Sequence, residues 1–412
     1  MNAVEVKPKR SVKKIVLAVV AVIVVLLVAA AAVIFGIWHN EIGTVASIKM
    51  LRERNDDHED GAVYSMNVQG GFYLDDFVAQ GGVSNDTELI QFITDHITHG
   101  VVDLNMTAPT IGCSSFTATA ENGDALFGRN YDFSKTNTML VFTDATEGRH
   151  ATISTTDLQF LGIDVDKDLT GLMNKVICLA APYTPLDGIN DAGVSCGIYM
   201  TYQGGDKTVA TDQDTDKPDF TSTTLLRLIL DYADNVEEAV EIASSYDLHD
   251  SANTSYHYMV ADASGKSAIL EWTNDAATDA TDNDGSQRTL KVVYNDQDSD
   301  IGEREGACNF QAVTNFVLQP GYYEGVAAEE KKGADRYDHL YDTLQATDGV
   351  VADEQAAMDI LRSVGRRTWD NDDRNNCTVH SVVYNLTKKT ALWVSNENYD
   401  DPTAVFSFSL AD

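Results

Sequence analysis

The chain has 412 residues, with 29 Lys and Arg against 64 Asp and Glu, and a formal net charge of −35. Nucleic-acid binding needs clustered positive charge, so that class is excluded. At 43% hydrophobic and 23% charged residues the chain is neither a disordered acidic tail nor a multi-pass membrane protein. Five cysteines are too few for a disulfide-built mini-fold, and the odd number leaves at least one thiol unpaired within the chain.

Ile15 to Trp38 is an apolar run of 24 residues without a charge. At about 1.5 Å per residue, a helix of that length spans a bilayer. Lys7, Lys9, Arg10, Lys13 and Lys14 precede it, opposed only by Glu5. Positive flanks stay cytoplasmic, so the remainder is expected outside. A cleaved signal peptide is the rival reading, but the alanine run is followed by VIFGIW rather than by a small-x-small site. The expectation is a single-pass anchor over residues 15–38, behind a basic tail over 1–14. Without residues 1–38 the net charge falls to −39, because five cations and one glutamate are lost. Such a surface is soluble and self-repelling.

Residues 39–112 read as a stem plus a small ordered piece. Within it, Asn85-Asp86-Thr87-Glu88 opens a capped helix through LIQFITDHI that ends near Gly100. SFTATA, Glu121-Asn122-Gly123-Asp124 and ALFGRNY then predict a hairpin on a type I′ Asn-Gly turn. Further strand-like runs are VICLAA, GVSCGIYMTY, HYMVADA, SAILEW, LKVVY, VHSVVYNL and ALWVSN. Helical patterns are TSTTLLRLILDYA, VEEAVEIASSY, ADRYDHLYDTLQA and EQAAMDILRSVG. Strands dominate and helices fall in pairs between strand groups. This predicts an α+β fold of layered sheets rather than a Rossmann arrangement.

Acidic stretches at 211–219, 274–285 and 295–300 invite a calcium reading. None fits an EF-hand loop, since Ala280 stands where the first ligand belongs. They read as solvated loops. HExxH, CxxC, P-loop and glycine-rich cofactor motifs are absent from the sequence, so no metal and no organic cofactor are expected.

A two-residue turn at Asn122-Gly123 puts Cys113 opposite Asp132, with Arg129 on the other face. By itself this pair is ambiguous, because a cysteine in a strand is more often a small buried hydrophobe than a nucleophile.

TIGCSSFTATAENGDALFGRNYDF resembles the nucleophile region of the choloylglycine hydrolase and penicillin V acylase family. It is equally similar to the acid ceramidase, N-acylethanolamine acid amidase and isopenicillin N acyltransferase relatives. The resemblance continues in order through GINDAGVSCGIYM, HYMVADASGKSAILEW, VTNFVL, ADRYDHL and CTVHSVVYNLTKKTALWVSN. It implies a four-layer αββα N-terminal-nucleophile (Ntn) hydrolase sandwich over 113–412 that cleaves linear amide C–N bonds.

The resemblance also implies the residue roles. Cys113 is the nucleophile and must become the first residue, so Gly112–Cys113 has to be cut and 39–112 becomes a prosegment. The freed α-amine, titrating near ~7.7–8.0, serves as base. Asp132 holds that amine, and Arg129 sits near the sulfur and favours thiolate. Asn315 donates to the oxyanion, with the backbone N–H of Met200 as the second donor; Tyr199 and Tyr202 are its rivals. Arg336 completes the charged network, and Asn190 is expected to form a turn. Cys178 and Cys196 are expected in the core, and Cys308 and Cys377 are candidates for pairing. His257 and His380 are expected to be structural. The implied partners are a small-molecule N-acyl amide, the membrane through 15–38, and the cleaved prosegment if it stays bound. Bile salt conjugates, penicillin V-like amides, N-acyl ethanolamides and acyl-homoserine lactones are all candidates. Two alternatives remain open: an acyltransferase with the same residues, and a non-catalytic binding module on the same scaffold.

Overall fold

The computed structural model describes residues 12–97, 100, 112–203, 208–276, 285–295, 309–325, 331–369 and 377–410. Helix α1 (Val12–Ser47) carries the apolar run and is broken at Trp38, where φ is −113° and ψ 22°. Among the described residues it is the one helix long and apolar enough to cross a membrane, and its apolar window is not buried. Beyond Trp38 the helix continues to Ser47 and docks on the domain. Thr44 Oγ1 accepts from Gln69 N at 2.9 Å, and Tyr73 donates to Glu41 at 2.9 Å.

The chain then forms β1 (Lys49–Arg52), β2 (Val63–Val68), α2 (Leu74–Ala79) and α3 (Asp86–His96). Asn85 caps α3 by accepting from Glu88 N at 2.9 Å, and Glu88 in return accepts from Ser84 N at 3.0 Å. Next come β3 (Gly112–Ala120), β4 (Ala125–Phe133), β5 (Thr138–Thr143), β6 (Thr152–Asp157), α4 (Leu172–Ile177), β7 (Asp187–Asn190) and β8 (Ser195–Met200). A parallel pair, β9 (Asp219–Thr221) with β10 (Asp247–His249), brackets α5 (Ser222–Tyr232) and α6 (Val236–Ser245). The remaining elements are β11 (Tyr256–Ala261), β12 (Ser267–Thr273), β13 (Thr289–Tyr294), β14 (Ala312–Val313), α7 (Ala334–Gln345), β15 (Val350–Val351), α8 (Glu354–Ser363), β16 (Cys377–Asn385), β17 (Thr390–Ser395) and β18 (Val405–Ser409).

A nine-stranded sheet runs β1-β2-β5-β6-β7-β8-β11-β12-β13. A seven-stranded sheet runs β14-β3-β4-β16-β17-β18, with β15 beside β3. Helices α5 and α6 pack on the first sheet, α7 and α8 on the second, and β3 faces β8 across the middle. The fold is a four-layer αββα sandwich. Strands β4 and β16 are buried at every position because a sheet covers one face and helices the other. Residues before Cys113 belong to the same core, since β2 pairs in parallel with β5 over six residues.

Two local expectations are corrected. VICLAA is not a strand: Leu172–Ile177 is helical and Cys178–Tyr183 continues as 3₁₀ turns. Periodicity cannot separate a short apolar run in a strand from one in a buried helix. The β3–β4 register is also shifted by one residue. Ala120 N bonds Asp124 O at 2.8 Å, so Glu121, Asn122 and Gly123 form the turn. Gly123 has φ +91° and Asn122 is not in the left-handed region, whereas a type I′ turn needs both residues there. Asn122 Oδ1 instead accepts from Asp124 N at 3.0 Å. Cys113 therefore pairs with Tyr131, Ser115 with Arg129, and Gly112 with Asp132. A one-residue slip exchanges the faces. Cys113, Ser115, Arg129 and Tyr131 share the face toward the nine-stranded sheet, and Asp132 turns toward α7.

Candidate active site

Cys113 stands second in β3 and is fully buried. Its Sγ lies 3.6 Å from Arg129 Nη2. The same nitrogen donates to Ile198 O at 2.7 Å, and Nε donates to Asp187 at 2.9 Å. The guanidinium lies 4.4 Å from the centre of the Tyr199 ring, and Tyr199 Oη donates to Ser115 at 2.6 Å. Gly197 makes this stack fit, because a Cβ there would lie 2.7 Å from both Arg129 Nη1 and Tyr199 Oη. Burial pushes the Cys113 thiol up to about 11, against the pull of Arg129. The site thus holds a protonated thiol beside a fixed cation.

Asn315 follows β14, and its Oδ1 accepts from Cys113 N at 3.2 Å and from Arg336 at 2.8 Å. Its Nδ2 donates to Met200 O at 2.8 Å. Thr201 N bonds Ser255 O and Ile198 N bonds Leu186 O. Strand alternation therefore turns the Met200 N–H away from β11, to the side on which Asn315 sits. Tyr202 N donates to Asn315 O at 2.8 Å. Tyr199 N, two residues before Thr201, points toward β11. The Cys113 backbone, Asn315 and the end of β8 thus form one connected group.

Arg336, near the start of α7, ties this group to Asp132. It donates to Cys113 O at 2.8 Å and to Asp132 at 3.2 Å. Asp132 also accepts from Arg366 at 2.9 Å and from Thr378 at 2.7 Å. The partner of Cys113 N is therefore Asn315, while Asp132 is held by two arginines and a threonine. Arg129 is paired with Asp187 and not with Asp132.

Sequence reasoning missed Arg366, Asp187 and Tyr384. Asp187 stands immediately before the Gly-Ile-Asn motif already singled out, so position alone offered a signal. Arg366 had none, because its approach to Asp132 depends on how α8 returns to the sheet. His380 donates through Nε2 to Asp187 at 2.8 Å. The bonds of His257 run to Glu271 and to Thr314 O, both at 2.9 Å, which steadies the segment carrying Asn315. Asn190 shapes its turn by accepting from Val194 N at 2.8 Å. Cys178, Cys196 and Cys377 are buried free thiols, and Cys308 lies outside the described residues. In the 211–219 stretch, Asp212 and Asp219 bond His249 at 2.7 and 3.1 Å. The other two acidic stretches fall largely outside the described residues, as do Ile111 and the segment before it.

A family model of linear amide C–N hydrolases, choloylglycine hydrolase family, matches residues 113–280. That stretch is choloylglycine hydrolase-like. The match begins at Cys113 and takes in Arg129, Asp132 and Asp187. Among solved structures, the chain is similar to a mutant conjugated bile acid hydrolase from Clostridium perfringens. The identity is 14%, the coverage 72% of this chain and 92% of that one, and the TM-score 0.46. It is similar to penicillin V acylase from Agrobacterium tumefaciens at 16% identity, covering 73% and 87%, with a TM-score of 0.45. It is also similar to a Caenorhabditis elegans N-acylethanolamine-hydrolyzing acid amidase ortholog at 15% identity, covering 67% and 93%, with a TM-score of 0.35. A search of curated protein sequences finds no match.

Proposed function

We propose that this chain hydrolyses the C–N bond of an N-acyl amide, with Cys113 as an N-terminal nucleophile freed by cleavage of Gly112–Cys113. The family match over 113–280 supports linear amide C–N hydrolysis as the reaction class. The observation that carries the cysteine mechanism is the 3.6 Å approach of Arg129 Nη2 to Cys113 Sγ inside a buried group that includes Asn315 and Arg336.

Maturation would begin with the Cys113 thiol attacking the Gly112 carbonyl. The peptide N–C bond breaks, a thioester forms, and the nitrogen leaves as the α-amine of Cys113. Water then hydrolyses the thioester and releases Gly112 as a carboxylate. Before the cut, Cys113 N is an amide and cannot act as a base. Afterwards it is an amine titrating near ~7.7–8.0 and can take the thiol proton. The thiolate attacks the substrate carbonyl, and Asn315 Nδ2 and Met200 N donate to the oxyanion. The amine leaves with a proton and water hydrolyses the acyl-enzyme. Asn315 Nδ2 has two hydrogens, so its bond to Met200 O leaves one for this purpose.

Helix α1 supports anchorage in a membrane, and the basic residues before it support a cytoplasmic N-terminus with the domain outside. Retention of the cut prosegment is supported by the parallel pairing of β2 with β5. It is also supported by buried Asp60, which accepts from Arg367 and Asn398, each at 2.9 Å.

The test is hydrolysis of a panel of N-acyl amides, including penicillin V and glycine-conjugated cholate, by the wild-type chain and Cys113→Ala. Loss of all activity in the variant is expected. Full activity in Cys113→Ala overturns the proposal.

A further inference from the structure

Arg129 leaves β4 and crosses to the facing sheet, where it meets a carboxylate that is itself clamped. Asp187 accepts from Arg129 Nε at 2.9 Å, from His380 Nε2 at 2.8 Å and from Tyr384 Oη at 2.6 Å. Arg129, Asp187, His380 and Tyr384 are all buried, none more than 1% exposed. His380 is fixed in turn, stacked 5.4 Å from both the Tyr131 and the Trp393 ring. Its Nδ1 has no hydrogen-bond partner, so the hydrogen bond of the ring is the one its Nε2 gives to Asp187.

We propose that Asp187, held by His380 and Tyr384, is the positioning residue that fixes Arg129 against the Cys113 sulfur. The proposal rests on the reading of Cys113 as nucleophile and adds how its cation is aimed. A guanidinium has a rigid fork of donors on a flexible stem. Asp187 takes Nε, the nitrogen nearest the stem, and so sets the plane of the fork. Nη2 is then left for Ile198 O and the sulfur, and Nη1 has no hydrogen-bond partner. Burial works against the charge on Asp187, but His380 and Arg129 outweigh it and hold its carboxyl at about 2. The clamp is therefore ionised at any ordinary pH.

Charge and position predict opposite signs. Asp187→Asn removes a negative charge from the neighbourhood of the thiol. By charge alone, thiolate forms more readily and the pH midpoint of alkylation falls. If Asp187 acts by aiming Arg129, the fork leaves the sulfur and the midpoint rises. The experiment uses the full chain in detergent. It reads iodoacetamide alkylation of Cys113 by peptide mass spectrometry across pH, and the rate at which the 113–412 fragment appears. The expected result is a raised midpoint and cleavage slowed by about 100-fold, the scale of a ~1 Å misplacement. Tyr384→Phe removes one clamp bond and should shift both readouts the same way by less. It also supplies the answer if Asp187→Asn does not fold. A midpoint that falls or stays put, with a reactive wild-type Cys113, overturns the positioning role alone. A wild-type chain in which neither alkylated Cys113 nor the 113–412 fragment appears at any pH overturns the nucleophile reading as well.

Discussion

Cys113 and Arg129 stand on the same face of the β3–β4 hairpin, 3.6 Å apart from Sγ to Nη2. The relationship depends on one turn residue. Three residues rather than two reverse the chain, so Ser115 pairs with Arg129 and Arg129 shares the face of Cys113. Asp132, one pairing off that face, is sent to the helical side and becomes the anchor of Arg336 and Arg366.

The space beside this pair is filled to the limit at Gly197. A Cβ there would stand 2.7 Å from Arg129 Nη1 and Tyr199 Oη, inside any real contact. Gly197→Ala should displace Arg129 and cut turnover by about 100-fold while the chain remains folded. Amidase rate alongside a thermal melt checks this.

Asn315 joins Cys113 N to Met200 O through its two amide atoms. Asn315→Ala removes one oxyanion donor in the proposed mechanism. The expected loss is about 10²–10³-fold in kcat, or ~2.7–4 kcal/mol of barrier, with KM little changed. Steady-state kinetics on the best substrate of the panel measures it.

Arg336 is one of two arginines on a fully buried Asp132. Removing one partner of a buried ion pair costs about 3–5 kcal/mol. Arg336→Ala should lower the denaturant midpoint of unfolding accordingly. Adding Asp132→Asn should not recover the loss, because Arg366 keeps Asp132 paired in Arg336→Ala and would itself lose its carboxylate. A double variant more stable than Arg336→Ala contradicts this account.

His249 ties the 211–219 stretch to the domain. Burial works against its protonated form, but hydrogen bonds to Asp212 and Asp219 outweigh that and raise its pKa above 6.5. A folded pKa above the unfolded one gives stability that is complete below the unfolded value. That stability is lost as pH rises through the folded value. His249→Gln should therefore be less stable than wild type at pH near ~6, with the gap closing by pH ~9. Unfolding of both chains at the two pH values tests the sign.

Much of the architecture was legible because periodicity follows burial. Helices α5, α7 and α8 have amphipathic patterns, and β11–β12 and β16–β17 are apolar runs split by turn residues. Strand β6 was silent for a physical reason. TISTTD is buried at every position, but four of its six side chains are hydroxyls, of which Thr156 donates to Ala181 O at 3.0 Å and Thr152 pairs with Thr143 at 2.7 Å. Hydrophobic alternation cannot find such a strand. Strand β2 depends on a parallel partner more than seventy residues away. In the site, Cys113, Arg129, Asp132, Asn315 and Arg336 were drawn from motif order, and the structure brings them into one hydrogen-bonded group. What motif order could not supply was direction. Asp132 and Arg129 exchange faces with the turn, and Asp187 and Arg366 enter from elements that only tertiary packing brings near.

The central claim is that Cys113 becomes a chain terminus and then a nucleophile. Intact mass with N-terminal sequencing of the purified chain tests it most directly. The account predicts a fragment of 300 residues beginning at Cys113, formed by the wild type and absent from Cys113→Ala. A wild-type chain that hydrolyses amides while Gly112–Cys113 stays intact would contradict it.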